Sequence, residues 1–354
     1  MRVIQFEIPQ KGRRVGVVAA DLIKDITAVK PEFPRVYDVF QAARSAGRSF
    51  TDLLAKFAAT PDIPTLAYQQ LHDAKPGGKA PFLHPPLDHA DPHRVQVTGT
   101  GLTHTGSMQS RDQMHSAESD ENNQPKTSDQ PKTDSAKMFE MGLAGGKPPA
   151  GERGVAPEWF YKGNGTNLRG HQAELEIPAF ALDGGEEPEL VGCYIIDERG
   201  IPRRLGFALG NEWSDHATEK VNYLYLAPSK LRTCAVGPEL NTDFEFNELT
   251  LGCTVQRGAE LVYDSGELYS GEKYMCHSLV NCEDHHFKYP LHRQPGDVHL
   301  HYFGTSKLSH STRDWKYQPG DEIRIDAPDF GAGLVNTVCS GEPSFANPIR
   351  VEPA

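Results

Sequence analysis

Residues 187–197 read EPELVGCYIID, a short apolar run headed by two glutamates. The run predicts a buried β-strand over 190–196. Because residues i and i+2 of a strand face the same side, Glu187 and Glu189 are expected to project together from its head. Two like charges in that position repel each other unless protons or a cation neutralise them.

A third acid follows the next predicted strand. Residues 205–209 form that strand, and Gly210-Asn211-Glu212 comes directly after it. Three hard oxygen ligands with open positions suit Mg²⁺ or Mn²⁺, which also leave room for a chelating substrate. The residues alone leave open a second interpretation, in which Glu-Pro-Glu is a solvated turn.

The sequence around these acids is strongly β in character. After residue 157, apolar segments are separated by Gly, Pro and Asp, which predicts a β-rich barrel or sandwich-like domain. Residues 1–95 instead predict a small α/β unit, with a strand pair at 3–7 and 14–18 and helices at 35–46 and 49–59. We place a domain boundary near residue 95. The polar stretch 116–137 is typical of a linker or of a mobile lid over a site.

Composition narrows the classes of function. The chain has 354 residues, with 36 Lys+Arg against 48 Asp+Glu and a formal net charge of −12. This length suggests two domains, and the acid excess argues against nucleic acid as a partner. The apolar stretches are short and the first residues lack the apolar centre of a signal peptide, so we expect a cytoplasmic protein without a membrane partner.

Histidines and cysteines offer a competing metal site. His299 and His301 lie two apart on a predicted strand, and imidazole with thiolate would favour zinc. Hydrogen-bonded core or surface histidines are the alternative, and the six cysteines are expected to be reduced thiols. The nearby residues that could join such a site are Cys276, His277, Cys282, His285 and His286.

Several blocks of the chain resemble the fumarylacetoacetate hydrolase superfamily. The main block is GFALGNEWSDHATEKVNYLYLAPSKLRTCAVGPEL at 206–240, preceded by PEWFYKGNGTNLRG at 157–170 and followed by HYFGTS at 301–306. QPGDEIRID at 318–326 and GLVNTV at 333–338 complete the order of motifs in that family. The resemblance implies an α+β fold of the fumarylacetoacetate hydrolase type, in which a mixed β-rich roll or sandwich forms the catalytic domain over 96–354. It also implies a polar lid segment near 103–140, a small N-terminal α/β domain over 1–95, and a homodimer.

The same resemblance assigns roles to individual residues. Glu187, Glu189 and Glu212 correspond to the metal ligands for Mg²⁺ or Mn²⁺, although the third ligand is usually aspartate. Lys230 corresponds to the active-site lysine, and Thr305 to the hydroxyl that holds the substrate carboxylate. His216 stands where many relatives have arginine, and Lys162 resembles a loop lysine that lines the pocket.

The lid region indicates the branch of the superfamily. The C–C bond hydrolases have a pattern like Asn-Tyr-x-x-His-x-x-Glu, whereas residues 103–111 read THTGSMQSR, with Ser107 at the expected His and Ser110 at the expected Glu. His115 and Glu118 could replace that pair. The sequence of residues 103–111 looks more like that of the 2-keto-3-deoxy sugar acid dehydratases. Glu219, seven residues after the third ligand, also resembles that branch. The whole chain is most similar to the arabinonate-dehydratase-like subgroup.

This branch implies a Mg²⁺-dependent dehydratase that converts a 2-keto-3-deoxy-pentonate to 2,5-dioxopentanoate. Lys230 and Glu219 would then be catalytic, and the substrate, a small 2-keto acid, would be bound by Arg111, Ser107, Lys162 and Thr305. The alternative enzyme is a metal-dependent C–C bond hydrolase that cleaves a 2,4-diketo-3-deoxy acid and releases pyruvate. A catalytically silent binding protein for sugar acids is the alternative from another class.

Overall fold

The computed structural model describes residues 1–109 and 133–354, and the chain starts with an antiparallel strand pair. β1 (Arg2–Ile8) and β2 (Gly12–Ala19) pair with Val3 opposite Val17. Both valines are buried. The alternation of apolar residues along both segments explains why they pair over a core, and the predicted strand pair is confirmed.

Helices then cover this pair. After α1 (Ile26–Val29), the chain forms α2 (Val36–Ser45) and α3 (Phe50–Ala58), so both predicted helices are confirmed with their ends shifted by one residue. The buried residues of α2 recur at helical spacing and include Val36 and Phe40. Gly47 adopts a φ of +62°, a left-handed conformation that favours glycine and follows the end of α2.

A large mixed sheet contains most of the remaining strands. Its order is β4-β3-β2-β1-β12-β11-β10-β16-β6-β7, with β5 also paired to β1 and β8 to β12. The strands not yet bounded are β3 (Leu22–Asp25), β4 (Thr65–Ala67), β5 (Phe82–His84), β6 (Val95–Gly101), β7 (Glu158–Asn164), β8 (Leu168–Arg169), β10 (Pro188–Ile196), β11 (Pro202–Asn211), β12 (Cys234–Asn241) and β16 (Val298–Tyr302).

The sheet is continuous across residue 95. β1 pairs with β12, with Arg2 opposite Asn241 and Val3 opposite Leu240. The N-terminal strands therefore extend the same sheet that carries the central strands β10 and β11. The division of the chain into domains at residue 95 stays a prediction.

A second, six-stranded sheet packs against the first, and the two sheets share a hydrophobic core. Its order is β14-β13-β17-β18-β9, with β15 paired to β13. Phe207 of β11 packs in the same cluster as Leu251 and Ile325 of the second sheet. Trp213 and Phe303, which follow β11 and β16, belong to this cluster too. The strands are β9 (Glu174–Ile177), β13 (Leu249–Arg257), β14 (Glu260–Asp264), β15 (Leu268–Ser270), β17 (Glu322–Asp326) and β18 (Leu334–Ser340).

The remaining helices are short and lie between strands. They are α4 (Tyr68–His72), α5 (Asp134–Gly145), α6 (His216–Val221), α7 (Leu226–Lys230) and α8 (Leu279–Phe287), and residues 105–109 are also helical. Among the described residues, none of the helices has the length and apolar character to span a membrane. The α+β fold class predicted from the sequence is confirmed.

Candidate active site

The site lies where β10 begins and β11 ends. The two strands are antiparallel, with Glu189 opposite Gly210, and the pairing continues through a 3.0 Å hydrogen bond from the Glu212 N–H to the Glu187 carbonyl. This register brings one carboxylate oxygen from each of Glu187, Glu189 and Glu212 within 4.8 Å of one another. All three side chains are buried, as the apolar run of β10 requires. The three predicted metal ligands therefore lie together.

Two lysines offset the charge of this acidic triad. Nζ of Lys230 lies 2.5 Å from Oε1 of Glu187 and 2.6 Å from Oε2 of Glu212. Nζ of Lys162 lies 2.8 Å from Oε1 of Glu212 and donates to the Trp213 carbonyl. Both lysines are almost completely buried. Buried charges are tolerated when they are paired in this way.

The pKa values of the three acids differ because their partners differ. Burial opposes ionisation of Glu187, but Lys230 and His216, whose Nε2 lies 3.0 Å away, together hold its pKa well below the usual value. Burial and the charges of Glu212 and Glu187 raise the pKa of Glu189 well above its usual value. Burial and the charge of Glu187 also raise the pKa of Glu212. The cluster therefore has carboxylate charge that its lysines do not fully compensate.

The donor set fits a hard divalent cation. All three candidate ligands are carboxylates, and their neighbours are ammonium groups and an imidazole rather than thiolates. Carboxylate oxygens are the ligands that Mg²⁺ and Mn²⁺ prefer. A dication would offset the same repulsion that raises the pKa values of Glu189 and Glu212.

A small cavity opens onto the acidic triad. It contains about 20 Å³ of space for water, enough for roughly one molecule. The predicted catalytic residues Lys230 and Glu219 both line it, and so do Ser107 and Thr305. Its walls are Gly101, Leu102, Ser107, Phe160, Glu187, Glu189, His216, Glu219, Lys230, Gly304, Thr305 and Leu308.

The predicted substrate-binding residues occupy different places. Ser107 lies on the cavity wall and donates to the His104 carbonyl at 2.9 Å, while the Thr305 hydroxyl donates to the Lys307 carbonyl at 2.9 Å. Lys162 lies behind Glu212 and is not among the described residues that line the cavity. A role for Lys162 in holding Glu212 fits this position better than direct contact with a substrate.

Part of the predicted lid lies outside the residues that the structure describes. The described residues include 103–109 and 133–140 of the expected segment 103–140. Arg111, the predicted cation for the substrate, lies outside the described residues. So do Ser110, His115 and Glu118, the other lid residues singled out from the sequence.

The histidine and cysteine groups do not form a second metal centre among the described residues. Nε2 of His286 is hydrogen bonded to Nδ1 of His299 at 2.9 Å, and the ring of His301 is held by Thr98 and Thr100. All six cysteines lie in the described ranges and none is bonded to another. The alternative of hydrogen-bonded core histidines matches these contacts, and the expectation of reduced thiols matches the free cysteines.

Glu158 was missed by the sequence analysis. It heads β7 on the same face as Phe160 and is 5% exposed. Tyr223 donates to its Oε1 at 3.0 Å, and its Oε2 lies against Gly101, a cavity wall residue. The alternation of Glu158, Phe160 and Lys162 along one strand was the available signal, because Phe160 and Lys162 both border the site.

Comparison with known proteins identifies the architecture. No family model matches the chain. The solved structure of 2-keto-3-deoxy-D-arabinonate dehydratase complexed with magnesium and 2,5-dioxopentanoate matches 96% of this chain and 99% of its own, with a TM-score of 0.64 and 16% identity. The chain therefore has the same fold as this solved structure. The fold that the sequence resemblance implies is thereby confirmed.

A second solved structure with this fold bears the name of a different enzyme. Maleylpyruvate hydrolase from Sphingobium sp. SYK-6, in complex with manganese(II) ion and pyruvate, matches 97% of this chain and 100% of its own, with a TM-score of 0.56 and 17% identity. In sequence, the chain is 29% identical over 196 residues to a Haloferax volcanii protein named "Probable 2-keto-3-deoxyxylonate dehydratase". That match covers 51% of this chain and 60% of the relative.

Proposed function

We propose that this protein is a Mg²⁺-dependent dehydratase that converts a 2-keto-3-deoxy-pentonate to 2,5-dioxopentanoate. One observation carries the proposal: a single cavity combines Glu187 and Glu189 of the acidic triad with Lys230 and Glu219, and has Ser107 where the hydrolase branch is expected to have histidine. The Haloferax relative bears the name of a dehydratase of the same substrate class. Pentose catabolism is the matching physiological context.

Glu187, Glu189 and Glu212 would hold the metal, with Mn²⁺ as the alternative to Mg²⁺. A divalent cation here would polarise the C2 carbonyl of a 2-keto acid and acidify the hydrogens on C3. Lys162 holds Glu212 from behind and His216 holds Glu187, so two of the three ligands have their orientation fixed by neighbours.

The reaction needs groups that move protons at three carbons. One proton leaves C3, and the hydroxyl group leaves C4 as water after taking up a proton. A proton removed from C5 and one returned to C3 then give an enol with a C4=C5 double bond. This enol becomes the aldehyde when C4 takes up a proton and the C5 hydroxyl loses one, so the net change is the loss of one water. Because each transfer needs a group within hydrogen-bond reach, a cavity with at least two proton carriers is required.

Lys230 and Glu219 are the two carriers that line the cavity. Nζ of Lys230 also lies 4.8 Å from the centroid of the Phe160 ring, which covers it on the cavity side of β7. We assign Nζ of Lys230 to the proton at C3 and the Glu219 carboxyl to the C4 hydroxyl. We assign the C5 end to Glu158, whose carboxylate lies next to Gly101 of the cavity wall.

The competing function is a C–C bond hydrolase that releases pyruvate from a 2,4-diketo-3-deoxy acid. It shares the same metal chemistry, so the acidic triad does not discriminate between the two. Ser107 supports the dehydratase, because its hydroxyl, bonded to the His104 carbonyl, lacks the basicity to activate water.

The deciding experiment is incubation of the protein and Mg²⁺ with both C4 epimers of 2-keto-3-deoxy-pentonate, and separately with 2,4-diketo-3-deoxy-pentonate. Products are identified by mass. We expect loss of one water from at least one epimer, and release of pyruvate without loss of water would refute the dehydratase. Glu189→Gln should abolish turnover and Mg²⁺ binding, whereas Glu174→Gln, at an exposed position of β9, should leave both unchanged.

The oligomeric state and location are further expectations from the superfamily. We expect a homodimer in the cytoplasm, with a small 2-keto acid as the only required partner besides the metal. Light scattering of the purified protein at several concentrations tests the dimer, and a monomer at all of them would contradict it.

A further inference from the structure

The acid immediately before the ligand pair, Glu186, is enclosed although it is not part of the acidic triad. Its side chain is 1% exposed. Its Oε1 accepts the Ser309 N–H at 2.7 Å, and its Oε2 accepts the hydroxyls of Ser309 and Tyr317, each at 2.7 Å. Three donors therefore hold one carboxylate that the proposed reaction does not use.

Glu186 and Glu187 point to opposite sides of the same backbone. The Ser214 N–H donates to the Gly185 carbonyl at 2.9 Å, and the Glu212 N–H donates to the Glu187 carbonyl at 3.0 Å. The chain is thus extended and paired before β10 starts, so neighbouring side chains alternate in direction. Glu187 reaches the acidic triad, and Glu186 reaches the segment behind it.

That segment, residues 304–309, forms one wall of the cavity. Gly304 and Thr305 line the cavity. The Gly304 N–H donates to Oε2 of Glu189 at 2.6 Å, and Ser309 at the other end is bound by Glu186. Both ends of the segment are therefore tied to the stretch of chain that supplies two of the candidate ligands.

Asp183, a second buried acid, also ties the chain that follows segment 304–309 to the chain before β10. Arg313 donates to the Asp183 carboxylate and, at 2.8 Å, to the Gly184 carbonyl. Its guanidinium carbon lies 4.9 Å from the centroid of the Tyr317 ring, which places the Tyr317 hydroxyl against Glu186. Arg313 therefore supports the contact between Tyr317 and Glu186 in two ways: it binds the chain just before Glu186, and it packs against the Tyr317 ring.

We infer that Glu186 is a positioning residue, which holds segment 304–309 in the conformation that receives the carboxylate of a 2-keto acid. The inference rests on the proposed function for the identity of the ligand. Loss of the Glu186 carboxylate should therefore weaken binding of the keto acid. The affinity for the metal should stay the same, because the metal ligands lie on the opposite side of the backbone.

The test uses Glu186→Gln and the milder Tyr317→Phe, with pyruvate as the probe. Calorimetry measures Mg²⁺ binding alone, then pyruvate binding to the Mg²⁺-saturated protein. We expect pyruvate affinity to fall about tenfold in Glu186→Gln and about threefold in Tyr317→Phe, since hydrogen bonds to a charged group are among the stronger ones. Mg²⁺ affinity should stay within about twofold of the wild type, and amide exchange of 304–309 should accelerate in both variants.

Asp197→Asn is the matched control. Asp197 lies beyond the opposite end of β10, is fully buried, and accepts the N–H groups of Arg199 and Ile201 at 3.0 and 2.9 Å. This variant should show the cost of losing a buried carboxylate without a change in pyruvate affinity.

Three outcomes overturn the inference: unchanged pyruvate affinity, an equal loss of Mg²⁺ affinity, or unchanged exchange at 304–309. If Glu186→Gln does not fold, Tyr317→Phe decides by the same criteria. Failure of the wild-type protein to bind Mg²⁺ or pyruvate would refute the proposed function instead. In that case the amide exchange rates of 304–309 alone would test whether Glu186 positions the segment.

Discussion

Nζ of Lys230 lies 2.6 Å from Oε2 of Glu212 in the interior of the protein, where neither side chain is more than 1% exposed. The same ammonium group lies 2.5 Å from Glu187, so it bridges two of the three acids of the triad. The Lys230 ammonium group and a bound metal ion would both neutralise the charge of Glu187 and Glu212. Lys230 thus contributes to the stability of the site as well as to its proposed chemistry.

Lys230→Met should destabilise the metal-free protein. Removing one partner of a buried ion pair leaves carboxylate charge uncompensated, which costs about 3–5 kcal/mol. Mg²⁺ should restore much of this loss, because the cation takes over the compensation. Urea unfolding in EDTA and in excess Mg²⁺ measures both effects.

Lys273→Met provides the control for this prediction. Lys273 pairs with Glu248 at 2.8 Å, but both side chains are about half exposed, so the expected loss is small and independent of Mg²⁺. Equal stability of Lys230→Met and the wild type in EDTA would contradict the role given to Lys230.

Replacing Glu212 by aspartate, the residue that the sequence resemblance predicts at this position, should impair the site. Glu212→Asp shortens the arm by one methylene and withdraws the carboxylate from Lys162, now at 2.8 Å, and from Lys230. Because such neighbours orient a ligand, we expect Mg²⁺ affinity to fall by about 10–100-fold. Calorimetry of Mg²⁺ binding measures the change, and an affinity equal to or above the wild type would show that the two lysines do not depend on the longer arm.

The sequence predicted the part of the site that depends on local pattern. Apolar runs identified β10 and β11, and strand alternation put Glu187 and Glu189 on one side. The end of the next predicted strand added Glu212, and the resemblance to the superfamily added Lys230 and Glu219. The three acids follow from spacing along two strands, which a single sequence displays directly.

Contacts between distant segments could not be predicted in the same way. β1 joins β12, so Arg2 lies opposite Asn241, and nothing local to either strand encodes that pairing. Glu158 became visible as a site residue only through Gly101 on the neighbouring strand β6. Lys162 was predicted to line the pocket, but it pairs with Glu212 outside the cavity lining, and this position depends on how β7 packs.

A cluster of buried histidines should make the fold sensitive to acid. His286 lies between His292, His299 and His301, with ring centroids 4.6–5.0 Å apart, and Trp159 donates to its Nδ1. Burial, with the neighbouring imidazoles, lowers the pKa of His299 and of His301 to about 3 and lowers that of His286 well below its usual value.

These histidines are neutral in the folded protein but gain protons below about pH 6.5 once the chain unfolds. Their contribution to stability is therefore complete above about pH 6.5 and is lost progressively as the pH falls towards about 3, by up to about 1.4 kcal/mol per pH unit for each histidine. His299→Gln should reduce the slope of unfolding free energy against pH by up to one proton. His93→Gln, at an exposed position, should not. Urea unfolding between about pH 7 and pH 5 measures both slopes, and parallel slopes for His299→Gln and the wild type would contradict the prediction.

Gly101→Ala tests whether Glu158 takes part in the reaction. A Cβ at this position would lie 1.9 Å from Oε2 of Glu158, so the carboxylate would have to move away from residue 101 and from its bond with Tyr223. If Glu158 moves a proton, turnover should fall by about 100-fold or more, with Mg²⁺ affinity unchanged, because Glu158 is not a member of the acidic triad. Gly252→Ala is the matched control, since its Cβ would meet only the Gly266 carbonyl at 3.6 Å. Turnover of Gly101→Ala within a few fold of that control would exclude Glu158 from the chemistry and leave the proton transfers to Lys230 and Glu219.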